Sequence, residues 1–351
     1  MPADDFNMLM SRLNLLINHS AIVCPAVMEQ HIISRDQFEA QLARAAAQVK
    51  DPEVGLFGPD SMMWRLSRHA LFGAHGAGRA LLLQIAHPWV TRGVDEHSNT
   101  RTDPLGRAKR TFTSVLSIVY GNLEQATKYA RAVHNIHSRI QGRMDYDAGA
   151  FGRDTPYQAN EAQAMLWVHA TLWDTTVMMY ELFRRPLSQQ EKDQFYEETR
   201  LFAYMFGIPD EILPPDWNAF MEYNQTMWNS DQLAVTPATR ELTAFLFQPL
   251  HFTLAPAMAW LKIATAATLP PRLREDFGLH YGNKERLLFA SGRTVLSLAE
   301  PAAPAIIRNG PAYVEATRRI RGLPSTLLTR AFTRAIFGRP ELVALKPPGA
   351  K

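Results

Sequence analysis

The sequence predicts an all-α fold, formed by a single large helical bundle domain, and three observations support that prediction. Apolar residues recur at helical spacing along most of the 351 residues. Alternating patterns rich in β-branched residues, which are typical of strands, are hard to find. Many helical stretches are bounded by standard signals, such as the capping-box pattern from Ser188 to Glu191 and the stop at Gly207.

The predicted helices follow one another along the chain with short interruptions. The periodicity places them over residues 36–50, 61–72, 79–87, 105–120, 123–141, 160–184, 188–206, 214–228, 239–247 and 311–320. We expect the glycine-rich segment 73–78 to separate the second from the third, and a loop to run from Pro88 to Pro104. Asn160 is expected to cap the helix over 160–184.

The chain is expected to have three parts. These are an N-terminal helical extension over residues 1–50, a main helical domain over residues 51–337 and a loose, proline-rich tail over residues 338–351. No internal repeat and no low-complexity block interrupts the main domain. One large domain is therefore the simplest prediction.

Composition excludes several classes of protein. With 46% hydrophobic and 20% charged residues, the chain has an ordinary globular composition. The formal net charge is only +3, so we expect no nucleic-acid partner, which usually requires a concentrated basic patch. Cys24 is the single cysteine, which excludes internal disulfides and cysteine-based zinc or iron–sulfur sites.

Targeting signals are also absent from the sequence. The N-terminus lacks the basic region and apolar core of a secretory signal, and no stretch approaches the roughly 18 consecutive apolar residues of a membrane span. The most apolar segment, 245–269, is interrupted by Pro249, His251, Pro256 and Lys262. We therefore expect a cytoplasmic protein, with peripheral membrane contact through that segment as an option.

The segment around His169 is the most informative part of the chain. From residue 162 to residue 180, the only other acidic or basic side chain is that of Asp174. At helical spacing, His169 shares an apolar face with Met165, Leu172 and Trp173. A buried imidazole needs a partner for each ring nitrogen, because an unsatisfied buried polar group costs about 1–3 kcal/mol. That partner is either another protein atom, as in most core histidines, or a metal.

Arg107 and Thr111 form a second polar set that is expected to face inward. Both lie on one face of a predicted helix together with Val115 and Ile118. A charge near the core is rarely left unpaired. Either Arg107 pairs with a carboxylate while Thr111 bonds to the backbone, or the two side chains face a bound anion, oxygen species or cofactor.

Three weaker patterns complete the set of candidate sites. The glycines of residues 73–78 precede a helix, but their spacing matches no phosphate-binding motif, so a packing or turn role is favoured. His134 and His137 have the i, i+3 spacing of a chelating pair, although no carboxylate within a turn completes a metal site. His87 and Glu96 are polar positions expected at loop ends, where caps and turns are common.

Taken in order, these residues resemble a known family. The segments that show the resemblance are GRALLLQIAHP at 78–88, VDEHS at 94–98, the set Arg107, Arg110 and Thr111, and WVHATL at 167–172. They are similar to a large bacterial family that shares its catalytic domain with the rubber oxygenase called latex-clearing protein. The fungal endoplasmic-reticulum oxygenase of mycophenolic acid biosynthesis has the same domain. The resemblance spans about residues 57–282.

The resemblance implies a globin-like helical bundle with a non-covalently bound b-type haem, so that residues 51–337 would be an oxygenase-like catalytic domain. It implies that His169 is the proximal iron ligand, and Trp173 on the same face would line the haem pocket. Arg107 and Thr111 would lie on the distal side or hold a propionate. Arg110, the basic residue before the threonine, would support them as a third catalytic residue.

The leading hypothesis is therefore a haem-dependent oxidoreductase, an oxygenase that combines O₂ with an apolar substrate, including unsaturated compounds. Rubber itself is not expected, since the rubber enzyme is secreted and this chain lacks an export signal. One alternative is a haem or apolar-ligand binding protein without turnover. A second alternative is a non-haem metal protein that uses His134, His137 and His169.

Overall fold

A computed structural model describes residues 30–98, 102–249 and 251–343 of the chain. All the described helices and strands belong to one compact unit, which begins at residue 32. Most of the extension expected over residues 1–50 lies outside the described residues. The same holds for Cys24 and for residues 344–351 of the expected tail.

The fold is all-α, as the sequence predicted. The described residues form fifteen α-helices: α1 (Arg35–Ala47), α2 (Met62–Ser67), α3 (Ala70–Ile85), α4 (Pro88–His97), α5 (Pro104–Tyr120), α6 (Leu123–His137), α7 (Ala162–Phe183), α8 (Gln189–Tyr204), α9 (Trp217–Asn229), α10 (Pro237–Leu246), α11 (Ala255–Thr268), α12 (Pro271–Asp276), α13 (Asn283–Ala299), α14 (Ala305–Ile320) and α15 (Leu327–Phe337). One small antiparallel hairpin joins α6 to α7. Its strands are β1 (Gln141–Arg143) and β2 (Pro156–Gln158), with Gly142 opposite Tyr157.

The centre of the domain is the packing of α3 against α7. The indole Nε1 of Trp167 donates to the carbonyl oxygen of Leu83 at 2.9 Å, and Gln84 Nε2 donates to Thr171 Oγ1 at 3.0 Å. Because α7 is apolar on nearly every side, fifteen of its residues are buried. This helix is therefore the core element of the domain, and it carries His169.

The glycine-rich segment 73–78 does not break a helix, contrary to the sequence prediction. It lies inside α3, and its glycines allow close approach of neighbouring helices. A Cβ atom on Gly76 would lie 2.7 Å from Thr175 Cγ2, and a Cβ on Gly78 would overlap with the Thr265 hydroxyl on α11. A helical glycine costs about 1 kcal/mol relative to alanine, and here that cost is offset by packing. The expected packing role is therefore what the structure shows.

Gly78→Ala is expected to destabilise the fold by about 1–3 kcal/mol, because Thr265 is fully buried and its hydroxyl already donates to the carbonyl of Leu261 at 2.8 Å. Gly73→Ala is the matched control in the same helix. No atom lies within 4 Å of a Cβ there, so a gain of up to about 1 kcal/mol is expected. Urea unfolding of the two variants checks the difference. Equal effects at both positions would contradict the packing role.

Other element boundaries differ from the sequence prediction for local reasons. Helix α4 occupies the expected loop after Pro88, because proline at the first helical position favours a helix start as well as a break. The cap of α7 is Glu161, whose carboxylate accepts from Ala164 N at 2.7 Å, and not Asn160. The side chain of Asn160 instead donates to the carbonyl oxygen of His134. The predicted capping box from Ser188 to Glu191 is confirmed at the start of α8.

The described part of the C-terminal segment packs against α14. Glu315 is fully buried, and its carboxylate accepts from Thr333 Oγ1 at 2.8 Å. It also accepts from the backbone N–H groups of Leu342 and Val343 at 2.7 and 2.9 Å. Three donors on one buried carboxylate meet its need for hydrogen bonds. Residues 342 and 343 are thereby held in the core.

Candidate functional site

His169 lies on the side of α7 that faces α8. Its side chain is 3% exposed, and it contacts the rings of Trp173 and Phe202 at centroid distances of 6.3 and 6.2 Å. The indole Nε1 of Trp173 donates to His169 Nδ1 at 3.2 Å. The other ring nitrogen, Nε2, is buried and has no hydrogen-bond partner among the described residues. His169 therefore combines one satisfied nitrogen with one that is free.

Burial determines the protonation state of His169. Desolvation lowers the pKa of the imidazole to about 3, so the ring is neutral at physiological pH. Since Nδ1 accepts a hydrogen bond from Trp173, the single proton of the neutral ring resides on Nε2. Histidines that bind metals usually donate their second N–H to an acceptor. Here a donor occupies that position.

The buried histidines are expected to make the fold sensitive to acid. Desolvation lowers the pKa of His87 to about 4, as it lowers that of His169 to about 3, whereas the unfolded chain titrates near 6.5. Stability is thus fully present above pH 6.5 and is lost as the pH falls toward these values. Each histidine should contribute a slope of about 1.4 kcal/mol per pH unit within that window. Urea unfolding between pH 7.5 and 5 measures this slope, and His169→Gln should reduce it. A free energy of unfolding that does not change with pH over this range would mean that the rings are protonated in the folded protein.

A buried ion pair includes Asp174, the residue that directly follows Trp173 in α7. Arg79 on α3 is 0% exposed, and its Nη2 lies 2.7 Å from Asp174 Oδ2. The guanidinium also donates from Nη1 to Thr175 Oγ1 at 2.6 Å and from Nε to the carbonyl of Thr268 at 2.9 Å. The sequence showed Asp174 as the one acid between residues 162 and 180, which is a signal for a buried partner. That partner was not identified from the sequence.

An open cleft of about 450 Å³ adjoins this ion pair. It lies among α7, α8, α9 and α13, and Asp174 forms part of its wall. Its other lining residues are Val177, Met178, Glu181, Leu182, Lys192, Trp217, Met221 and Arg293. Volumes of this size are within the range of small-molecule sites. The cleft therefore offers a mixed apolar and charged surface close to the central helix.

The predicted set on α5 is less buried than the sequence indicated. Ile118 is buried and Val115 half-buried, but Thr111 is exposed, and Arg110 is exposed and pairs with Asp103 at 3.1 Å. Arg107 is half-buried, and desolvation lowers the pKa of its guanidinium, with a further contribution from Arg110. Helix α5 packs against α2, α6, α14 and α15. The residues that contact the His169 ring come instead from α7 and α8. The structure does not bring Arg107 or Thr111 into hydrogen-bond contact with His169.

Glu96 belongs to a polar network at the end of α4 that the sequence did not reveal. The phenol of Tyr157 donates to Glu96, whose carboxylate also accepts from Arg92. His97 Nε2 lies 3.1 Å from the same phenol oxygen. Desolvation and the neighbouring carboxylate raise the pKa of Tyr157. The network joins α4 to β2, and Tyr157 could not be linked to it by sequence spacing.

The remaining candidate histidines are dispersed. His134 stacks on Phe38 at a centroid distance of 4.1 Å, and His87 lies beside Trp89 and Phe151. In each of His87, His134 and His137, the buried ring nitrogen Nδ1 has no hydrogen-bond partner within the described ranges. No three His, Cys, Asp or Glu side chains of those ranges come together to hold a metal ion. Among the described residues, His134, His137 and His169 therefore do not form the metal-binding group that the alternative non-haem site requires.

Comparisons with known proteins match most of the chain to one family. Residues 64–298 match the family model described as ER-bound oxygenase mpaB/B'/Rubber oxygenase, catalytic domain. Two uncharacterized proteins, from Mycobacterium bovis and Mycobacterium tuberculosis, are each 26% identical to the chain over 236 residues, which is 64% of this chain and 87% of theirs. No solved structure matches the chain. Among the described helices, none is long and apolar enough to cross a membrane.

Proposed function

This chain belongs to the family of the ER-bound oxygenase mpaB/B' and rubber oxygenase catalytic domain, and we propose on that premise that it is a haem b-dependent oxygenase. Its substrates would be O₂ and an apolar compound, including unsaturated ones, in the cytoplasm. The observation that supports this proposal most strongly is the free Nε2 of His169, a neutral nitrogen buried among aromatic rings. We assign that atom as the proximal iron ligand.

The residues around His169 fit a haem in two respects and differ in one. A neutral imidazole with an unpartnered nitrogen is the usual axial donor, and apolar aromatic rings exclude water from it. The difference is the N–H donor of Trp173 on Nδ1, which leaves the ring proton on Nε2. Bound haem would supply the iron that binds and activates O₂. Trp173, which the sequence placed in the haem pocket, would act by fixing the orientation of the ring.

Arg107 would contribute an anion site. Its guanidinium is half-buried and stands near a second cation, Arg110, and both effects lower its pKa. A negatively charged group at this position would counteract both effects and raise the pKa of Arg107, since an opposite charge favours the protonated guanidinium. A haem propionate or an oxygen-derived anion fits that requirement. Thr111 lies next to Arg110 on the exposed side of α5, where it can donate a hydrogen bond to the same anion.

Haem affinity is expected to increase with pH: as long as the indole N–H of Trp173 occupies Nδ1, Nε2 would have to lose its proton to hold the iron, and the ring would release that proton to solvent as an imidazolate. The expected rise is about tenfold per pH unit for one released proton. In Trp173→Phe, Nδ1 can take the proton and the pH dependence should disappear. Haem titrations between pH 6.5 and 8.5 measure both proteins. Identical pH dependence in the two would contradict the role of the indole N–H.

The activity itself is tested by oxygen consumption. The purified chain is supplied with haem, reduced, and mixed with a panel of apolar alkenes and saturated analogues in an oxygen electrode. The expected result is substrate-dependent uptake, with ¹⁸O from ¹⁸O₂ appearing in the product by mass spectrometry. If the chain binds haem but consumes O₂ with no member of the panel and does not react with peroxide, that result would favour the non-catalytic carrier and contradict the oxygenase proposal.

A further inference from the structure

Helix α13 is unusual among the long helices of the domain because it has no buried residue. Its inner side is nevertheless held firmly. A Cβ on Gly292 would overlap with the Trp260 ring of α11, and Trp260 and Phe289 stack with ring centroids 6.0 Å apart. Leu296 packs against a cluster that contains Phe72 of α3. The orientation of α13 is therefore fixed, and so is the face that it presents outward.

That outward face is apolar. Leu287 is 69% exposed, Val295 63% and Leu298 75%, and their successive spacings of eight and three residues place them on one side of the helix. Soluble proteins expose single apolar side chains routinely, but a row of large ones on a fixed helix indicates an interaction site. The inner contacts leave this row without a partner among the residues that the structure describes.

The start of α11 extends the same surface. Helix α11 runs in the same direction as α3, since Trp260 contacts His75 while the carbonyl of Thr268 accepts from Arg79. Helix α13 runs the opposite way, because Gly292 meets Trp260 and Leu296 meets the Phe72 cluster. The beginning of α11 and the end of α13 therefore lie at one end. Phe252 and Leu254, which immediately precede α11, are exposed there, Phe252 by 77%.

Positive charges border this apolar surface. Lys262 on α11 and two basic residues of α13, Lys284 and Arg286, are exposed. The one carboxylate of α13, Glu285, accepts from the backbone N–H of Gly282 at 2.9 Å and lies 3.3 Å from His280 Nε2. An apolar helix face with basic residues along its sides is typical of helices that lie in the headgroup layer of an anionic membrane.

We propose that the outer face of α13, together with Phe252 and Leu254, docks on the surface of an anionic lipid bilayer. The leucines and Phe252 would enter the boundary between headgroups and acyl chains, and the basic residues would contact lipid phosphates. The surface would bring the domain to apolar compounds dissolved in the membrane. This inference does not depend on the proposed haem, because vesicle binding is measured with the chain as it is purified.

Vesicle flotation tests the proposal. The full chain is mixed with vesicles of phosphatidylcholine and phosphatidylserine at 70:30, and separately with pure phosphatidylcholine vesicles. We expect binding to the anionic vesicles that weakens in 0.5 M NaCl. Leu287→Asp and Leu298→Asp should each reduce binding about tenfold or more, and Lys284→Gln about fivefold. Leu327→Asp on α15, at a residue that is 83% exposed, is the matched control and should bind like the parent chain.

Three outcomes would overturn the proposal. The first is equal binding of the parent chain and the two α13 leucine variants, or no binding at all. The second is equal affinity for the neutral and anionic vesicles, which would remove the role of the basic residues. The third is a dimer, detected by analytical ultracentrifugation, that the α13 variants convert to monomer without any vesicle binding. Far-ultraviolet circular dichroism of each variant confirms that the fold is retained.

Discussion

Asp174→Ala is expected to destabilise the domain by about 3–5 kcal/mol, the cost typical of breaking a buried ion pair on one side. The variant would leave the guanidinium of Arg79 fully buried, with its bonds to Thr175 and Thr268 but without a counter-charge. The variant would weaken the contact of α3 with α7, which is the centre of the fold. Equilibrium unfolding in urea measures it.

Two comparisons make the expectation specific. The double variant Arg79→Met and Asp174→Leu should recover most of the stability, because apolar residues of similar volume avoid the desolvation penalty. Glu39→Ala breaks a partly exposed pair with Arg131, whose guanidinium lies 2.8 Å from the carboxylate, and should cost less than about 1 kcal/mol. A loss at Asp174 no larger than the loss at Glu39 would contradict the burial argument.

His169→Ala is expected to lower haem affinity by at least about 100-fold, more than the 10–100-fold typical of changes to residues that only orient a metal ligand. The substitution removes the one nitrogen that we assign to the iron. A titration of the purified chain with haem, followed by absorbance in the Soret region, gives the affinity. His169→Gln provides a variant of closer volume in case the alanine form is unstable.

Three histidines serve as controls for that assignment. His87, His134 and His137 also have one buried ring nitrogen without a partner among the described residues, so each is a rival donor by the same criterion. Alanine at each of these positions should leave haem affinity within about threefold of the parent value, less than one 1.4 kcal/mol step. If one of these three alanine variants lost the Soret band while His169→Ala retained it, the histidine replaced in that variant would be the iron ligand.

Local chemistry explains what the sequence could predict about the fold. Helices such as α7 and α8 were found because their caps and apolar periodicity involve only neighbouring residues. The continuity of α3 through its glycines could not be found, since it depends on Thr175 and Thr265, which lie far away in the sequence. Helix α4 was missed because Pro88 is compatible with both the end and the start of a helix.

The candidate site shows the same limit. The apolar face of His169 followed from spacing, and Trp173 at i+4 is within reach by the same rule. Spacing could not show that the indole N–H would point at Nδ1, where metal-binding histidines usually have an acceptor. Thr111 was expected to face inward with Val115 and Ile118. It is exposed, because only the last part of α5 enters the core.

The stoichiometry of haem binding by the unmodified chain tests the central proposal most directly. The purified protein is titrated with haem, and the Soret absorbance and the pyridine haemochrome spectrum are recorded. The proposal predicts a band that saturates at one haem b per chain, well separated from free haem. An absorbance that follows free haem at every ratio, with no saturation at one equivalent, would contradict it.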